Sequence, residues 1–355
     1  MIFISQEGDL INSKPSDPYF EKVKLFILKW QNGISELEVK TSGSTGKPKK
    51  IKLSREKIQA SVSQTKEAFS IDEDHLLLCN LSVDFIAGKL MIIRALELKS
   101  ELIVIRPEGN ILDSIRNFGY MLEQKRGKLF LAFVPLQITK VLEEPAGHNL
   151  LNMAKAVLIG GAKVNKHLAK LLTEIHSPVY ATFGMTETVT HFAIKQINAT
   201  EPQEYFKPLK GTALKVDEEG CLSVKNACTD NLWLKTNDRV ELRMDQSFKP
   251  LGRADNVINS GGIKIHLEEI EAQIDQLIDF KHPFFCAGVK DTLLGQKLVL
   301  FIESEEKDLE ILAKLKSEMA KFAAPKEVLF IKEFARTTSG KIDKIKTINA
   351  SAISN

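Results

Sequence analysis

Residues Ala156–Glu187 read AVLIGGAKVNKHLAKLLTEIHSPVYATFGMTE, and this stretch indicates the fold. Two short apolar runs, Ala156–Gly160 and Val179–Phe183, flank a segment with helical spacing at Lys166–Ile175. Short apolar runs predict buried strands, and the strand–helix–strand order predicts that the two strands are parallel. The stretch is therefore typical of an α/β sheet.

The same alternation extends back to Ile51. Further strands are predicted at Leu76–Cys79, Glu101–Ile105 and Leu129–Phe133. Further helices are predicted at Arg55–Phe69, Ile86–Leu98 and Ile111–Gln124, the first with Ser54 as its N-cap. We expect these elements to form an α/β large N-terminal domain, residues 1–252, with a mainly parallel sheet and flanking helices.

Glycine-containing turns follow both predicted strands of the first stretch. Gly160-Gly161-Ala162 comes after one strand and Gly184-Met185-Thr186-Glu187 after the other. Ligands of open α/β sheets bind at the carboxyl ends of strands, so these turns predict a site. Glu187, which lies between two threonines, has the chemistry to hold Mg²⁺ beside a phosphate. The alternative is an acid that the dipole favours at a helix N-terminus.

A second polar stretch, TSGSTGKPK at Thr41–Lys49, has the chemistry of a phosphate-binding loop. Its hydroxyls, flexible glycines and lysines suit a polyphosphate, and an ordinary flexible loop is the alternative. Gly43 and Gly46 are too close together for the common nucleotide-binding P-loop, and Pro48 follows Lys47. A phosphate loop here therefore belongs to another architecture.

The pattern changes after about Ala199, and a second unit follows the turn-rich passage Pro250–Gly262. Before this passage, strands are predicted at Gly220–Lys225, Asn231–Lys235 and Val240–Arg243. After it, strands are predicted at Lys264–His266, Phe284–Val289, Lys297–Glu303 and Glu327–Ile331, with helices from Leu267 and across Leu309–Phe322. We expect a small C-terminal α+β domain, residues 253–355, with its boundary at Arg253–Asp255.

Three isolated side chains are further candidates for chemistry. Asp238 follows a predicted strand and suits a ribose diol, although a turn aspartate is the commoner case. Lys341 lies in an adaptable Thr-Thr-Ser-Gly loop that suits delivery of a lysine, with a solvated tail lysine as the alternative. His191 suits a pocket wall or an ordinary buried histidine. No Gly-x-Ser-x-Gly elbow is present, so an enzyme of this sequence is expected to act through binding and charge stabilisation.

Composition narrows the class of protein. The chain has 355 residues, 43% of them hydrophobic, and a net charge of +3, which gives no electrostatic case for nucleic acid binding. Its four cysteines are far apart and fit neither a zinc site nor a disulfide framework. No signal peptide or membrane-spanning run is found. We expect a cytoplasmic protein without membrane insertion.

In this order and spacing, the motifs resemble those of the acyl-adenylate-forming enzymes, which include acyl-CoA synthetases, luciferases and peptide-synthetase adenylation domains. The resemblance covers Thr41–Lys344. TSGSTGKPK resembles the phosphate loop of that family, GGA its adenine segment, FGMTE its Thr/Mg²⁺ motif, GRADNVINSGGIKIHLEEIE its hinge and TTSGK its mobile lysine loop. Asn237 replaces the glycine of the usual Thr-Gly-Asp motif. The short length and the GMTETVTHFA sequence look most like the O-succinylbenzoate–CoA ligase branch, which serves menaquinone synthesis.

The resemblance implies a two-step ligase reaction with ATP, Mg²⁺ and coenzyme A. A carboxylate attacks the α-phosphate of ATP to form an acyl-AMP, and the CoA thiol then displaces AMP. The implied catalytic residues are Lys341, Thr186 and Glu187, with Glu187 on the metal. The implied ATP-binding residues are Thr41, Ser42, Gly43, Ser44, Thr45, Gly46, Lys47, Gly161, Ala162, Phe183, which stacks on adenine, Gly184, Met185, Asp238 and Arg253.

The resemblance also implies a hinge at Asp255, about which the small domain rotates between the two steps. Ser260, Gly261 and Gly262 are then expected to face the CoA channel. The acyl pocket is expected from Val83–Arg94 and Thr188–Phe192, with Thr190 and His191 in contact with the acid. The second carboxylate of O-succinylbenzoate needs a cation, for which Arg94 is the first candidate and Lys89 the second. A helix-surface role is the alternative for both.

Relatives carry a much longer segment before the phosphate loop than the forty residues found here, so part of an N-terminal subdomain is expected to be missing. Two rival functions stay open. One is another aryl- or acyl-CoA synthetase, or a stand-alone adenylation enzyme that loads a carrier protein. The other is a non-catalytic nucleotide-binding module. The expected partners are a small carboxylate, ATP and CoA, and a homodimer is left open.

Overall fold

The computed structural model describes residues 1–40, 49–278, 282–308, 310–337 and 341–351. The predicted phosphate-binding residues Thr41–Lys47 lie outside the described residues. Across the described ranges, none of the helices has the length and apolar character that crossing a membrane requires.

The strands are β1 (Ile2–Ile4), β2 (Leu10–Asn12), β3 (Glu36–Lys40), β4 (Lys50–Ser54), β5 (Leu76–Cys79), β6 (Glu101–Val104), β7 (Leu129–Phe133), β8 (Ala154–Ile159), β9 (Val179–Gly184), β10 (His191–Gln196), β11 (Lys207–Pro208), β12 (Ala213–Val216), β13 (Cys221–Lys225), β14 (Leu234–Leu242), β15 (Phe248–Arg253), β16 (Val257–Ser260), β17 (Ile263–His266), β18 (Phe284–Asp291), β19 (Gly295–Glu303) and β20 (Glu327–Ile331). The helices are α1 (Pro18–Gln31), α2 (Arg55–Phe69), α3 (Ile86–Leu98), α4 (Leu112–Ile115), α5 (Gly119–Gln124), α6 (Pro135–Leu142), α7 (Pro145–Asn152), α8 (Lys166–Leu172), α9 (Leu267–Leu277), α10 (Glu310–Glu318) and α11 (Lys344–Ala350). As predicted, Ser54 caps α2 by accepting a hydrogen bond from the backbone N–H of Lys57 at 3.4 Å.

A nine-stranded sheet forms the centre of the large unit, in the order β11-β10-β9-β8-β7-β5-β6-β1-β2. The central strands β6, β5, β7, β8 and β9 are parallel, and antiparallel strands extend both edges. One apolar core joins the sheet to α1, α2 and α3, and another joins its opposite face to α4–α8. The predicted α/β class is confirmed. The sheet is mixed because β2 and β10 follow their neighbours through short connections, which give antiparallel pairs.

The first forty residues add elements that the sequence patterns did not predict. β1 pairs with β6 at the sheet edge, and α1 packs against α3. Trp30 of α1 is 1% exposed, and its Nε1 donates to Glu97 Oε1 at 2.9 Å. The guanidinium of Arg55 lies 4.0 Å from the Trp30 ring centroid and donates to the same oxygen at 3.1 Å. The single helix α1 therefore covers α3 in this shortened N-terminal region.

Three predicted elements were wrong in detail. The segment Ile111–Gln124 is not one helix, because a 3₁₀ turn at Arg116–Phe118 separates α4 from α5. The turn ends at Gly119, a residue that weakens helix interiors. The predicted strands Asn231–Lys235 and Val240–Arg243 each overlap the single strand β14 (Leu234–Leu242), which Asn237 and Asp238 do not interrupt. Pairing with β15 holds these turn-prone residues in the strand, with an irregularity between Arg239 and Val240.

Two smaller sheets follow the large one. An antiparallel sheet orders β12-β13-β14-β15, and a five-stranded sheet orders β17-β16-β19-β18 with β20 parallel to β19. α9 and α10 pack on one face of the second sheet, in agreement with the predicted small C-terminal α+β unit. The change of sheet falls between Arg253 and Val257, where the domain boundary is predicted.

α9 also contacts the antiparallel sheet across this change of sheet. Arg239 of β14 donates to Glu269 Oε1 at 2.8 Å. A Cβ added at Gly252 of β15 would lie 2.9 Å from the Cβ of Glu268, so glycine permits the close approach of the two units. The position of the small unit therefore depends on contacts made by the first turn of α9.

Candidate active site

A cavity of about 430 Å³ lies where the parallel strands end. The turns after β7, β8 and β9 line it with Val134, Gly160, Gly161, Met185 and Thr186. α3 lines another side with Ile86, Ala87, Met91 and Arg94, and the small unit contributes Thr337 and Lys341. The carboxyl ends of the strands, the predicted acyl-pocket segments and the predicted catalytic lysine thus meet at one cavity.

The turn after β8 requires glycine at two successive positions. Gly160 approaches β9 so closely that an added Cβ would lie 2.7 Å from Thr182 Oγ1. Gly161 has φ +87°, in the left-handed region that favours glycine. A Cβ on Gly161 would lie 3.8 Å from Lys341 Cε. The glycines therefore keep backbone open beside the lysine, while Ala162 is exposed.

Lys341 enters the cavity from a segment held at its base. Its carbonyl accepts from the backbone N–H of Thr337 at 2.8 Å, and its own N–H donates to Thr337 Oγ1 at 3.2 Å. Residues 338–340 between them lie outside the described part of the chain. Burial lowers the pKa of Lys341 below its ordinary value, because water no longer solvates the ammonium group. An anion in the cavity would restore the stability of the charged form.

The turn after β9 is tied together by a hydroxyl. Thr188 Oγ1 accepts from the N–H of Met185 at 3.1 Å and approaches the Thr190 carbonyl oxygen at 2.8 Å. Val189 has φ +65° and ψ −60°, and the N–H of Thr190 donates to the Thr188 carbonyl at 2.8 Å. This is a γ-turn of the strained kind, which is rare for a β-branched residue. It reverses the chain so that Thr190 and His191 line the cavity.

Gly184 allows that reversal to pack against β9. An added Cβ would lie 2.2 Å from the Thr190 carbonyl oxygen and 2.6 Å from the His191 Cα. Thr186 lines the cavity next to Gly184, and the Glu187 carboxylate beside it is exposed. An exposed carboxylate next to a hydroxyl is a donor set that suits Mg²⁺, which binds few protein oxygens and keeps the rest for phosphate and water. The residues present therefore fit this metal.

Arg94 is a buried cation in an otherwise apolar helix. It is 4% exposed, and its neighbours Ile92, Ile93 and Ala95 are buried. Its Nη2 donates to Thr190 Oγ1 at 3.2 Å, and its Nε has no hydrogen-bond partner among the described residues. Arg94 also forms no salt bridge with any of the described residues. Burial lowers the pKa of Arg94 to about 10, so the guanidinium stays charged at neutral pH. A charged group buried in this way needs an anion.

His191 is the next polar group along the cavity wall. Its Nδ1 lies 3.2 Å from Thr190 Oγ1, and its Nε2 is buried without a partner among the residues that the structure describes. Burial, together with the nearby Arg94 guanidinium, lowers the pKa of His191 to about 3. The ring is therefore neutral at physiological pH. Phe69 packs against it edge to face, with ring centroids 6.2 Å apart.

Asp238 and Arg253 face each other across β14 and β15, with Oδ1 and Nη1 3.8 Å apart. Burial raises the pKa of Asp238, and the Arg253 guanidinium opposes this shift. Arg253 also donates twice to Asp255, at 2.8 and 2.7 Å. Asn237 Nδ2 donates to the same Asp255 carboxylate at 3.0 Å. The predicted ribose acid and the predicted hinge acid thus share one arginine.

Other predicted residues lie away from the cavity wall. Phe183 contacts the rings of Phe192, Phe206 and Phe248, with centroids 5.1 to 5.7 Å apart, because alternate residues of β9 face opposite sides. Its predicted adenine contact stays a prediction. Lys89 is not part of the described cavity wall; Asp84 and Lys22 lie near it. Of the two candidate cations, the structure therefore places Arg94 on the cavity wall and Lys89 away from it.

The predicted CoA-contacting residues form a tight hairpin turn between β16 and β17. Ser260 pairs with Ile263, while Gly261 and Gly262 have φ +60° and +85°. Two successive left-handed residues form the turn type that matches the twist of a hairpin. The conformation explains the Gly-Gly pair, and its predicted role in CoA binding stays a prediction.

Sequence reasoning missed several residues of the cavity wall. Thr182 alternates with the buried residues of β9, and Gln137 lies just after β7, bonded through Nε2 to the Asn80 and Glu108 carbonyls at 3.0 Å. The period of two along β9 could have identified Thr182. Gln137 Oε1 also accepts from the Val134 N–H at the start of α6 at 3.3 Å, but the partners of its Nε2 lie far away in sequence.

The chain matches two models of known protein families. The AMP-binding enzyme model covers residues 41–237, and the AMP-binding enzyme C-terminal domain model covers residues 284–341. A crystal structure of an AMP-forming acyl-CoA synthetase/AMP-acid ligase II-like protein from Dyadobacter fermentans is 37% identical. That match covers 99% of this chain and 100% of the other, with a TM-score of 0.64.

More distant matches include ligases of known name. The 2-succinylbenzoate–CoA ligases of Lactococcus lactis and Staphylococcus aureus are each 25% identical, over 85% and 86% of this chain. The chain spans 68% and 65% of their lengths, which is about two thirds. The O-succinylbenzoate coenzyme A synthetase of Bacillus subtilis, solved with ATP and a magnesium ion, is 20% identical, with a TM-score of 0.71 over 88% of this chain and 69% of that one.

The family matches agree with the geometry of the cavity. The first family model begins at the predicted phosphate loop, and the second ends at the lysine that enters the cavity. Because the first model alone covers more than half of the sequence, the chain belongs to the family of AMP-binding enzymes.

Proposed function

We propose that this protein is an ATP-dependent acid–thiol ligase that forms an acyl-AMP and then an acyl-CoA thioester. The observation that supports this most directly is the position of Lys341. A lysine of the small unit lies beside Gly161 at the carboxyl ends of the parallel strands. That arrangement brings an ammonium group to the place where a carboxylate and a nucleotide phosphate would meet.

In the proposed first step, an oxygen of the carboxylate attacks the α-phosphorus of ATP. The new carboxylate–phosphorus bond forms as the bond from the α-phosphorus to the bridging oxygen breaks, and pyrophosphate leaves. Negative charge builds on the α-phosphate oxygens, and Lys341 and Thr186 line the cavity there to offset it. Asp238, assisted by Arg253, is proposed to hold the ribose hydroxyls. The predicted phosphate loop Ser42–Lys47 would bind the β- and γ-phosphates.

Mg²⁺ is proposed to bind at Glu187, with the remaining ligands supplied by phosphate and water. When bound, the ion neutralises charge on the phosphates. Thr188 holds this turn by its hydroxyl contacts, so Glu187 and Thr186 keep a fixed relation to β9.

In the proposed second step, the CoA sulfur attacks the acyl carbon, and the bond to AMP breaks. Rotation of the small unit about Asp255 would withdraw Lys341 and bring Ser260, Gly261 and Gly262 toward the entering thiol. The absence of side chains on both glycines leaves room for a narrow pantetheine chain. All four cysteines are free and buried, and we place the enzyme in the cytoplasm, where thiols stay reduced and ATP and CoA are present.

The proposed acid is O-succinylbenzoate, converted to its CoA thioester for menaquinone synthesis. The names of the distant ligases favour this acid, and the buried Arg94 supports it. Arg94 lines the cavity without a carboxylate partner in the described part of the chain, so it suits the second carboxylate of a dicarboxylic acid. A bidentate contact of this kind is stronger than a neutral hydrogen bond.

The proposed function is tested with Lys341→Ala in the two half-reactions measured separately. We expect adenylation, followed by pyrophosphate release with O-succinylbenzoate, to fall by about 10²–10³-fold, as for loss of one preorganised charge. Thioester formation from supplied acyl-AMP should survive. Lys346→Ala is the matched control, because this lysine is largely exposed. Equal loss in both half-reactions would contradict the assignment of Lys341.

A panel of carboxylic acids tests the proposed substrate. AMP release with O-succinylbenzoate, benzoate and short fatty acids is measured with and without CoA. Turnover that needs CoA and prefers the dicarboxylic acid supports the proposal. Faster activation of benzoate or fatty acids would assign the enzyme to another acid.

A further inference from the structure

The cavity wall contains a short chain of polar groups that starts at a cation. Arg94 Nη2 donates to Thr190 Oγ1 at 3.2 Å, because a guanidinium can only donate. Thr190 Oγ1 then has one proton and one remaining lone pair to share. Its two other neighbours are His191 Nδ1 at 3.2 Å and Ser61 Oγ at 3.5 Å.

The positions of these groups favour one direction for the Thr190 proton. His191 Nδ1 is the nearer neighbour, and the Arg94 cation contacts the same Thr190 oxygen that Nδ1 contacts. A neutral imidazole is more stable when its lone pair, and not its N–H, faces a cation. Thr190 therefore donates to His191 Nδ1, and Ser61 can donate to Thr190. Both hydroxyls of this hydrogen-bond chain, those of Thr190 and Ser61, then have a partner.

This direction determines the tautomer of His191. A neutral imidazole carries one proton, and a ring that accepts at Nδ1 carries it on Nε2. His191 Nε2 is buried and has no partner in the described ranges, although the residue lines the cavity. A buried N–H without an acceptor costs stability, and a ligand oxygen would remove that cost.

We propose that His191 is a specificity-determining residue whose Nε2–H, set by the Arg94–Thr190 chain, donates to an oxygen of the acyl group apart from the reacting carboxylate. The proposal rests on the proposed function and extends it to the class of acid. The enzyme selects acids that carry a carbonyl or carboxylate oxygen as an additional acceptor. Arg94 supplies charge in this selection, and His191 supplies a neutral and directional hydrogen bond.

Two replacements of His191 separate the hydrogen bond from the shape of the ring. His191→Phe keeps a planar ring and removes the donor. His191→Gln places an amide N–H near the original Nε2 position. The readout is the ratio of kcat/KM for a 2-acylbenzoate over that for the matched 2-alkylbenzoate, which lacks the oxygen. We expect His191→Phe to lower this ratio by about 3- to 10-fold, the effect of one neutral hydrogen bond, and His191→Gln to retain most of it.

The tautomer is measured without turnover. Nitrogen-15 NMR of the full chain, with the His191 signals assigned from their loss in His191→Phe, should show the proton on Nε2. Thr190→Val should weaken that preference, and Thr190→Ser should preserve it. Thermal unfolding of each variant shows whether it is folded.

The outcomes distinguish the two proposals. Activation of both benzoates with an unchanged ratio in His191→Phe overturns the role of His191 and leaves the ligase function standing. A proton on Nδ1 overturns the hydrogen-bond chain. Failure to activate any acid overturns the proposed function and, with it, this inference.

Discussion

At the scale of single residues, the site depends on close backbone contacts that a side chain would prevent. Gly184→Ala would place a Cβ 2.2 Å from the Thr190 carbonyl oxygen, so β10 would have to move. We expect a loss of about 1–3 kcal/mol in the free energy of unfolding, as for other overpacked sites, together with loss of adenylation. Urea unfolding followed by circular dichroism measures the first effect.

The matched control is Gly119→Ala. Gly119 begins α5 with helical φ of −49°, and an added Cβ meets no atom within 4 Å. Alanine there is expected to be neutral or to stabilise by up to about 1 kcal/mol. Equal urea midpoints for wild type and Gly184→Ala would show that the turn after β9 can move without cost.

The sequence identified the chemistry of individual residues better than their surroundings. Glu187, Lys341 and Arg94 were candidates because their residue types suit phosphate, metal and carboxylate. The γ-turn at Val189 could not be predicted, because no local rule places valine at positive φ. It follows from the packing of Val189 in the core and from the Thr188 hydroxyl contacts.

At the scale of secondary-structure elements, α1 is the least predictable part of the fold and has a clear energetic role. We expect Trp30→Ala to lower the free energy of unfolding by about 3–5 kcal/mol, because the ring is buried and its Nε1 bonds Glu97. Leu25→Ala on the same helix is the control, since Leu25 is 63% exposed and should change stability by less than about 0.5 kcal/mol. Chemical denaturation of both variants compares them, and equal losses would contradict the proposed role of the Trp30 contacts.

The buried parallel strands and the helices α2 and α3 were predictable because apolar runs and helical spacing are local signals. β5 and β7 have the predicted bounds. α1 has polar residues at Glu21, Lys22, Lys24, Lys29 and Gln31 among its apolar ones, and it was not recognised. Strands β10, β11 and β12 were also missed; β11 and β12 are short and only partly buried, so their composition resembles that of loops.

At the scale of the whole molecule, the small unit has to move if one lysine and one CoA channel serve the same cavity. We expect Asp255→Pro to retain adenylation and to slow thioester formation, because proline fixes φ at the predicted hinge. Measuring acyl-AMP formation and its reaction with CoA separately tests this.

Asp255→Ala is the control for the hinge. It removes the contacts to Arg253 and Asn237 and leaves the backbone free. Thioester formation at the wild-type rate in Asp255→Pro would refute domain rotation. Equal slowing in both variants would assign the effect to the lost carboxylate contacts.

The two-unit organisation was predictable from the change in pattern after Ala199 and from the turn-rich passage that follows. The relation between the units was not, because the Arg239–Glu269 contact and the approach of Gly252 to Glu268 join residues that are distant in sequence. Asn237, which departs from the family motif, adds a hydrogen bond to Asp255.

Both borders of the nine-stranded sheet end in very short strands, the three residues of β2 and the two residues of β11. A border this short offers few unpaired amides to a neighbouring molecule, which guards against strand addition and fibre growth. Pairing of two copies through this sheet would therefore have few backbone groups to use.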